Sequence, residues 1–233
     1  MTPGLADAEQ QRPPRVWAVG RALAAVGAVG PILYVGLTMV LGLTWTGYDP
    51  IRDTQSELGA VDSPVQVVMN VAGFMGLGVS ILAFAGAYAI VLRPGWPTWV
   101  ATALLVVAGV GMVVVGFFPC DPGCVDVTTT GRLHGVFSAP GAIGLPAAAM
   151  VSALVFGRDG RWSTGWQLTS FVLGALSLAS GPIIAAEVVA GANGLLQRAG
   201  MWPSLLWVSA VSIRLLVLTR ASVDRRRPPA AGD

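Results

Sequence analysis

The chain has 233 residues, of which 54% are hydrophobic and 11% charged, with a net charge of +2. Soluble domains carry about 25% charged residues, so a chain this poor in charge cannot cover a water-facing surface. The small net charge gives no reason to expect a nucleic-acid partner. All 14 basic residues are Arg, and with the high Ala, Gly and Val content this suggests a GC-rich bacterial coding sequence.

In chain order, residues 1–20 form a polar, Pro- and Arg-bearing tail that reads as disordered. A membrane span needs about 20 mostly apolar residues to cross a hydrocarbon core of roughly 30 Å. The first such run is Arg21–Leu43. It is longer than the apolar core of a signal peptide and no small-x-small cleavage site follows it, so it reads as an uncleaved anchor. A polar connection, Tyr48 to Gly59, leads to the second run, Gln66–Leu92. Asp62-Ser63-Pro64 before it supplies capping side chains and a helix-starting Pro. The third run is Thr98–Phe118, entered at Pro97. After it comes Pro119-Cys120-Asp121-Pro122-Gly123-Cys124, and then the fourth run, Leu133–Phe156, which contains Pro140 and Pro146. The fifth run is Gln167–Val188, with Pro182 inside, and the sixth is Ala199–Leu218. Prolines inside spans predict kinks. Gly27, Gly73, Gly76, Gly86 and Gly111 would let helices approach closely. Residues 220–233 form a second, basic tail.

Lipid offers no partner for free backbone groups, so each span must be helical. The expected fold class is therefore all-α: a polytopic membrane protein, a six-transmembrane-helix bundle over residues 21–219. Orientation follows from the Arg positions. Arg12, Arg15, Arg21, Arg93, Arg158, Arg161, Arg220, Arg225, Arg226 and Arg227 fall on one side, against Arg52, Arg132 and Arg198 on the other. The expected topology has both termini in the cytoplasm of a bacterial cell.

The connections on the expected outer side hold most of the chemistry-bearing residues. Asp53, Ser56, Glu57, Asp121, Arg132, His134, Glu187 and Arg198 should lie at about the same depth. Ionisable groups beside lipid usually face a bundle interior or a wet cavity, which makes Asp53, Glu57, Arg132, Glu187 and Arg198 candidate ligand-binding residues. The same groups also suit ordinary polar loops and helix-end ion pairs such as Glu187–Arg198. Cys120 and Cys124, the only cysteines, flank a turn and are expected to form a disulfide that holds Asp121 in place. His134 is the only histidine, so no metal site and no cofactor are expected. A sharper arrangement has Asp121 orienting His134 as a base and Ser56 as the nucleophile.

Several of these residues carry a resemblance. Ser56-Glu57-Leu58-Gly59, then Gly116-Phe117-Phe118-Pro119-x-Asp121 with His134 following, then Gly194-Leu195-x-x-Arg198, resemble the DUF998 family of prokaryotic six-span membrane proteins over roughly residues 20–220. The resemblance implies a six-helix fold and no assigned activity. It also leads one to expect an acidic residue where this chain has Gln197. The layout is faintly similar to membrane hydrolases of the alkaline ceramidase type, which set a Ser, an Asp and three His around zinc; with one His, that zinc site is not carried over.

Three functions compete at this stage. The polar cluster could bind a membrane lipid head group, a small ligand or a membrane-protein partner, with the arginines suited to phosphate. A hydrolase of a lipid ester or amide would use Ser56, His134 and Asp121. A small-solute transporter would need mid-membrane polar groups, for which Asn70 and the Ser/Thr residues of span five are the candidates. A closed constellation of side chains, a cavity or a polar tunnel would separate the three.

Overall fold

The computed structural model describes residues 13–185, 189 and 191–224. Helix α1 spans Pro14–Thr44. Helix α2 spans Gln66–Val91, with a π-helical stretch at Met69–Met75. Helix α3 is Trp96–Val115, α4 is Thr129–Arg158, α5 is Thr164–Ala185 and α6 is Asn193–Asp224. Single 3-10 turns occur at Ser56–Gly59 and Pro122–Cys124. No strand occurs among the described residues. Five helices (α1, α2, α3, α4 and α6) are long and apolar enough to cross a membrane. The protein is a polytopic helical membrane protein.

The helices overrun the apolar stretches that mark them. Helix α1 begins at Pro14 rather than at Arg21, with Pro in the first turn, where its missing N–H costs nothing. Helix α4 begins before Leu133 because the Thr128 hydroxyl caps it, accepting from the Gly131 amide at 3.1 Å. Helix α6 begins at Asn193, so Gly194 to Arg198, expected as a connection, form its first turns. Hydropathy locates the stretch that meets lipid; hydrogen bonding continues each helix past it. Residues 1–12 and 225–233, most of the two expected tails, lie outside the described residues.

Each helix packs on its neighbours in sequence, α6 closes the ring on α1, and α2 also reaches α6 across the middle. Small residues set the closest approaches. A Cβ on Gly78 would lie 2.6 Å from the Val113 amide nitrogen of α3. One on Gly111 would meet the Phe137 carbonyl oxygen of α4 at 2.8 Å, and one on Gly27 would meet Phe84 Cβ of α2 at 2.9 Å. Gly86 faces Leu23 of α1 as expected, whereas Gly73 meets only Met69 of its own helix and Gly76 has ordinary space. The apolar core includes Phe84, Tyr88, Phe156 and Trp207. Two of its polar side chains are paired across helices: Trp207 Nε1 donates to Ser170 Oγ at 2.9 Å, and the Tyr88 and Ser152 hydroxyls share a hydrogen bond of 2.6 Å.

The end that carries both chain termini is fastened by an ion pair that sequence reasoning missed. Asp159 is fully buried. Its carboxylate accepts from Arg161 Nε at 2.8 Å and Nη2 at 2.6 Å, and from the Arg161 amide at 3.2 Å. Arg161 Nη2 also donates to the Val91 carbonyl at the end of α2, and Arg214 of α6 donates to the Arg161 carbonyl. Three segments thus meet around one ion pair. Burial pushes the Asp159 carboxyl up, but the hydrogen bonds and charge of Arg161 outweigh it and hold the group below the usual range.

A carboxylate with a depressed folded-state pKa stabilises the fold above its unfolded value near 4, and that contribution is lost as pH falls through the folded value. Asp159→Asn removes the buried carboxylate charge from the pair with Arg161 and should cost roughly 3 kcal/mol, as for a broken buried pair. Thermal melting in detergent should show a lower midpoint for the variant at neutral pH and a smaller loss of midpoint than wild type below about pH 4.

Candidate functional site

The opposite end carries the longer loops, and its centre is Arg198. Its side chain is buried. Nη1 donates to the carbonyl oxygens of Pro50 at 2.6 Å, Gly194 at 2.9 Å and Asp53 at 3.0 Å, and Nη2 donates to the Tyr48 hydroxyl. The planar guanidinium can hold several acceptors at once, and here they are carbonyl dipoles and a phenol rather than a carboxylate. The chain is tightened by two backbone bonds, Gly194 N to Arg52 O at 3.0 Å and Leu195 N to Ile51 O at 2.9 Å. Gly194 must lack a side chain, because a Cβ there would lie 2.7 Å from the Pro50 carbonyl oxygen and 2.8 Å from Arg198 Nη1.

The next stretch of the loop is held in the same way. Glu57 Oε1 accepts from the Thr54 amide at 2.9 Å and from its hydroxyl at 3.0 Å, which ties the 3-10 turn to Thr54 ahead of it. Leu58 is fully buried. Asn70 Nδ2 donates to the Gly59 carbonyl at 3.0 Å, and a Cβ on Gly59 would lie 2.5 Å from Asn70 Oδ1. Gln197 Oε1 accepts from the Gln55 amide at 2.6 Å, while its Nε2 makes a long contact of 3.4 Å with Ser56 Oγ. Gln197, where an acid was expected, therefore uses both halves of its amide.

The second loop is organised by Asp121. Its carboxylate accepts from the Thr128 amide and hydroxyl, each at 2.8 Å, and from the Val127 amide at 3.0 Å. The Thr128 backbone bond leads the effects that hold this carboxyl below the usual range. The sulfurs of Cys120 and Cys124 are at disulfide distance, 2.10 Å. Gly123 between them has φ +68°, the left-handed conformation that glycine adopts without strain. Cys120 Sγ lies 3.4 Å from the Ser56 carbonyl oxygen, and the Val61 amide donates to the Cys120 carbonyl at 3.0 Å, so the two loops touch. His134 Nδ1 bonds the Phe118 carbonyl at 2.8 Å.

These geometries place the expected site residues. The loops bring Ser56, Asp121 and His134 to one end of the bundle, yet no hydrogen bond joins the three: Ser56 Oγ faces Gln197, Asp121 faces residues 127 and 128, and His134 Nδ1 faces Phe118. Asp53 Oδ2 accepts from the Asp49 amide at 2.7 Å. Arg52 pairs with Asp49 at 3.2 Å on the surface. Arg132 is exposed, and its guanidinium reaches the Val127 carbonyl at 3.5 Å. Glu187, and with it the expected pair with Arg198, lies outside the described residues.

Beneath the loops, and unforeseen from sequence, is a cavity of about 580 Å³. All six helices contribute to its wall. Gln55, Ser56 and Gln197 line it at the loop end, and Phe74, Leu77, Ile81, Met112 and Leu145 supply the apolar body. Among the described residues, no Asp, Glu, Arg or His lines it. Two wall hydroxyls, Ser177 of α5 and Ser204 of α6, are buried and have no hydrogen-bond partner. Ala142 and Ile143 of α4 and Leu178 and Gly181 of α5 line the cavity and are exposed, so the wall is open where these helices face each other. They pack closely at Gly174, where a Cβ would lie 2.6 Å from the Pro146 carbonyl oxygen, and have parted by Gly181, where nothing lies within 4 Å. The signal that could have found this was the run of Ser on α5 and α6.

The fold and its loop-end architecture define a helical membrane protein with an intrabundle cavity. More particularly, the chain belongs to the DUF998 family, whose model, described as a protein of unknown function, matches residues 28–214. No curated protein and no solved structure matches the chain.

Arg198→Ala should release the 48–55 loop. Hydrogen bonds to a charged group are worth about 1.5–3 kcal/mol when lost, so a melting midpoint lower than wild type is expected, together with faster tryptic cleavage at exposed Arg52. Arg198→Lys should rescue little, because one ammonium cannot reproduce the fork.

Proposed function

We propose that this protein binds an uncharged, amphipathic membrane lipid in the cavity, with the apolar chain in the bundle and a hydroxyl, ester or amide group near Ser177 and Ser204. The observation that carries this reading is the pair of buried, unpartnered hydroxyls in an apolar wall that has no ionised side chain among the described residues. A buried polar group without a partner costs about 1–3 kcal/mol, and a ligand supplying donors or acceptors removes that cost. The volume is within the roughly 300–1,000 Å³ of small-molecule sites. The exposed apolar residues at the α4–α5 opening suit entry from the bilayer rather than from water. An ionised head group is disfavoured, because none of the described wall residues would neutralise it, and Arg198 already serves its own loop.

The same reading places α5 as a sixth span and both termini in the cytoplasm of a bacterial cell, with the lipid site toward the outer leaflet. The arginine distribution supports it. Alkaline phosphatase, which folds only outside the cytoplasm, should be active when fused after Gly123 and inactive when fused after Arg220. The reverse pattern would invert the topology.

The binding reading is tested by native mass spectrometry of the protein purified in mild detergent, with extraction and identification of bound lipid. Wild type should carry a phosphate-free lipid. Ser204→Leu, which removes one of the two wall hydroxyls and puts bulk in its place, should lose most of it while keeping a melting midpoint close to that of delipidated wild type. Retention of the same lipid by Ser204→Leu, or a bound population made up of anionic phospholipid, would contradict the proposal.

A further inference from the structure

We infer that Cys120, Cys124 and His134 form a site for a d10 cation, Zn²⁺ or Cu⁺, whenever the two cysteines are thiols, so that metal and disulfide are alternative occupants of the same turn. This inference stands on observations separate from the lipid cavity. Both sulfurs and a ring nitrogen of His134 lie within 4.8 Å of one another. Soft thiolates and an imidazole are the donor set that selects such cations over Mg²⁺ or Ca²⁺.

The histidine is prepared for the role. A carbonyl oxygen only accepts, so the 2.8 Å contact to Phe118 puts the hydrogen on Nδ1 and, in the neutral ring, leaves the lone pair on Nε2. A metal-binding histidine usually has this arrangement, with its other nitrogen donating to a carbonyl or carboxylate. Nε2 is buried and has no hydrogen-bond partner. Phe74 meets the ring edge-on with centroids 5.8 Å apart and fixes its plane. The nearest carboxylate in sequence, Asp121, is spent on residues 127 and 128, which leaves three protein ligands and an open position. Cys120 is buried and Cys124 only partly so, and residues 125–129 beside them are exposed, giving an entry path from the loop end.

The chemistry balances as follows. The disulfide takes two electrons and two protons from a dithiol reductant, which is itself oxidised to a disulfide, and yields two thiols. A cation then displaces the two thiol protons and binds two thiolates and the neutral His134 nitrogen. In the reverse direction a disulfide oxidant takes the two electrons of the two thiolates and, with two protons from solvent, becomes a dithiol; the Cys120–Cys124 disulfide re-forms and the cation leaves.

The test uses the full-length protein in detergent, prepared once with a dithiol reductant and once oxidised, the reductant being removed before titration. Zn²⁺, and separately Cu⁺, is titrated in competition with a chromophoric chelator, and free thiols are counted in parallel. The reduced protein should bind one cation per chain and the oxidised protein none. Cys120→Ser, Cys124→Ser and His134→Gln should each weaken binding about tenfold or more. X-ray absorption of the Zn²⁺-loaded wild type keeps the inference testable if a variant fails to fold. It should show two sulfurs at about 2.3 Å and one protein nitrogen at about 2.0–2.1 Å. Two free thiols with no cation bound, an unchanged affinity in folded His134→Gln, or a metal shell without both sulfur and imidazole would each overturn it.

Discussion

The loop end of this protein depends on one guanidinium. Arg198 projects from the first turns of α6 and draws the carbonyls of Pro50, Asp53 and Gly194 onto one nitrogen. A buried cation without a carboxylate is tolerable only when several dipoles point at it, and the loop backbone supplies them. The loop is too short to hold a core of its own, and the backbone bonds of Gly194 and Leu195 with the contacts of Gln197 and Asn70 complete its attachment. With the loop pinned, Gln55 and Ser56 reach the cavity and Leu58 is pressed into the core. Gly59 can then lie against Asn70.

This arrangement changes what the family's motif residues mean. Ser56 to Gly59, Gly116 to Asp121 and Gly194 to Arg198 look in sequence like a dispersed active site. In the fold most of them are answered by steric or hydrogen-bonding requirements: a carboxylate at Glu57 that holds Thr54, glycines where another chain passes too closely for a Cβ, an aspartate that organises the turn before α4. Together they build a roof. Two features are not used up by that task, the unpartnered hydroxyls in the cavity wall and the unpartnered nitrogen of His134. The binding proposals rest on those two.

Hydropathy and residue type made the helices legible, because lipid imposes length and apolarity on each span and punishes every free backbone group. The ends were less legible. Helices α1 and α6 continue through Arg15 and Arg198, where local hydrogen bonding, invisible to an apolar count, decides. The gathering of Ser56, Asp121, His134 and Arg198 at one end followed from topology alone, and the disulfide distance of Cys120 and Cys124 from their spacing. Which atoms bond each other did not follow, since Asp121 chooses the amides of residues 127 and 128 over His134 for reasons of loop shape. Asp159 looked like one acid in a basic connection; its burial depends on Arg161, Val91 and Arg214 meeting from three segments. The cavity was hidden because Ser177 and Ser204 are common residue types in helices, and only their shared position in the wall sets them apart.

The proposed role makes the bundle a receptacle for an uncharged lipid that enters between α4 and α5. Photolabelling in bilayers tests it most directly. Two diazirine-tagged lipids with the same acyl chain, one a neutral glyceride and the other its anionic phosphate ester, are compared by peptide mapping. That role predicts that the neutral probe labels the cavity face of α4 and α5, around Ile143 and Leu178, and that the anionic probe does so far less. Equal labelling by both probes, or labels spread around the outer surface of the bundle, would contradict it.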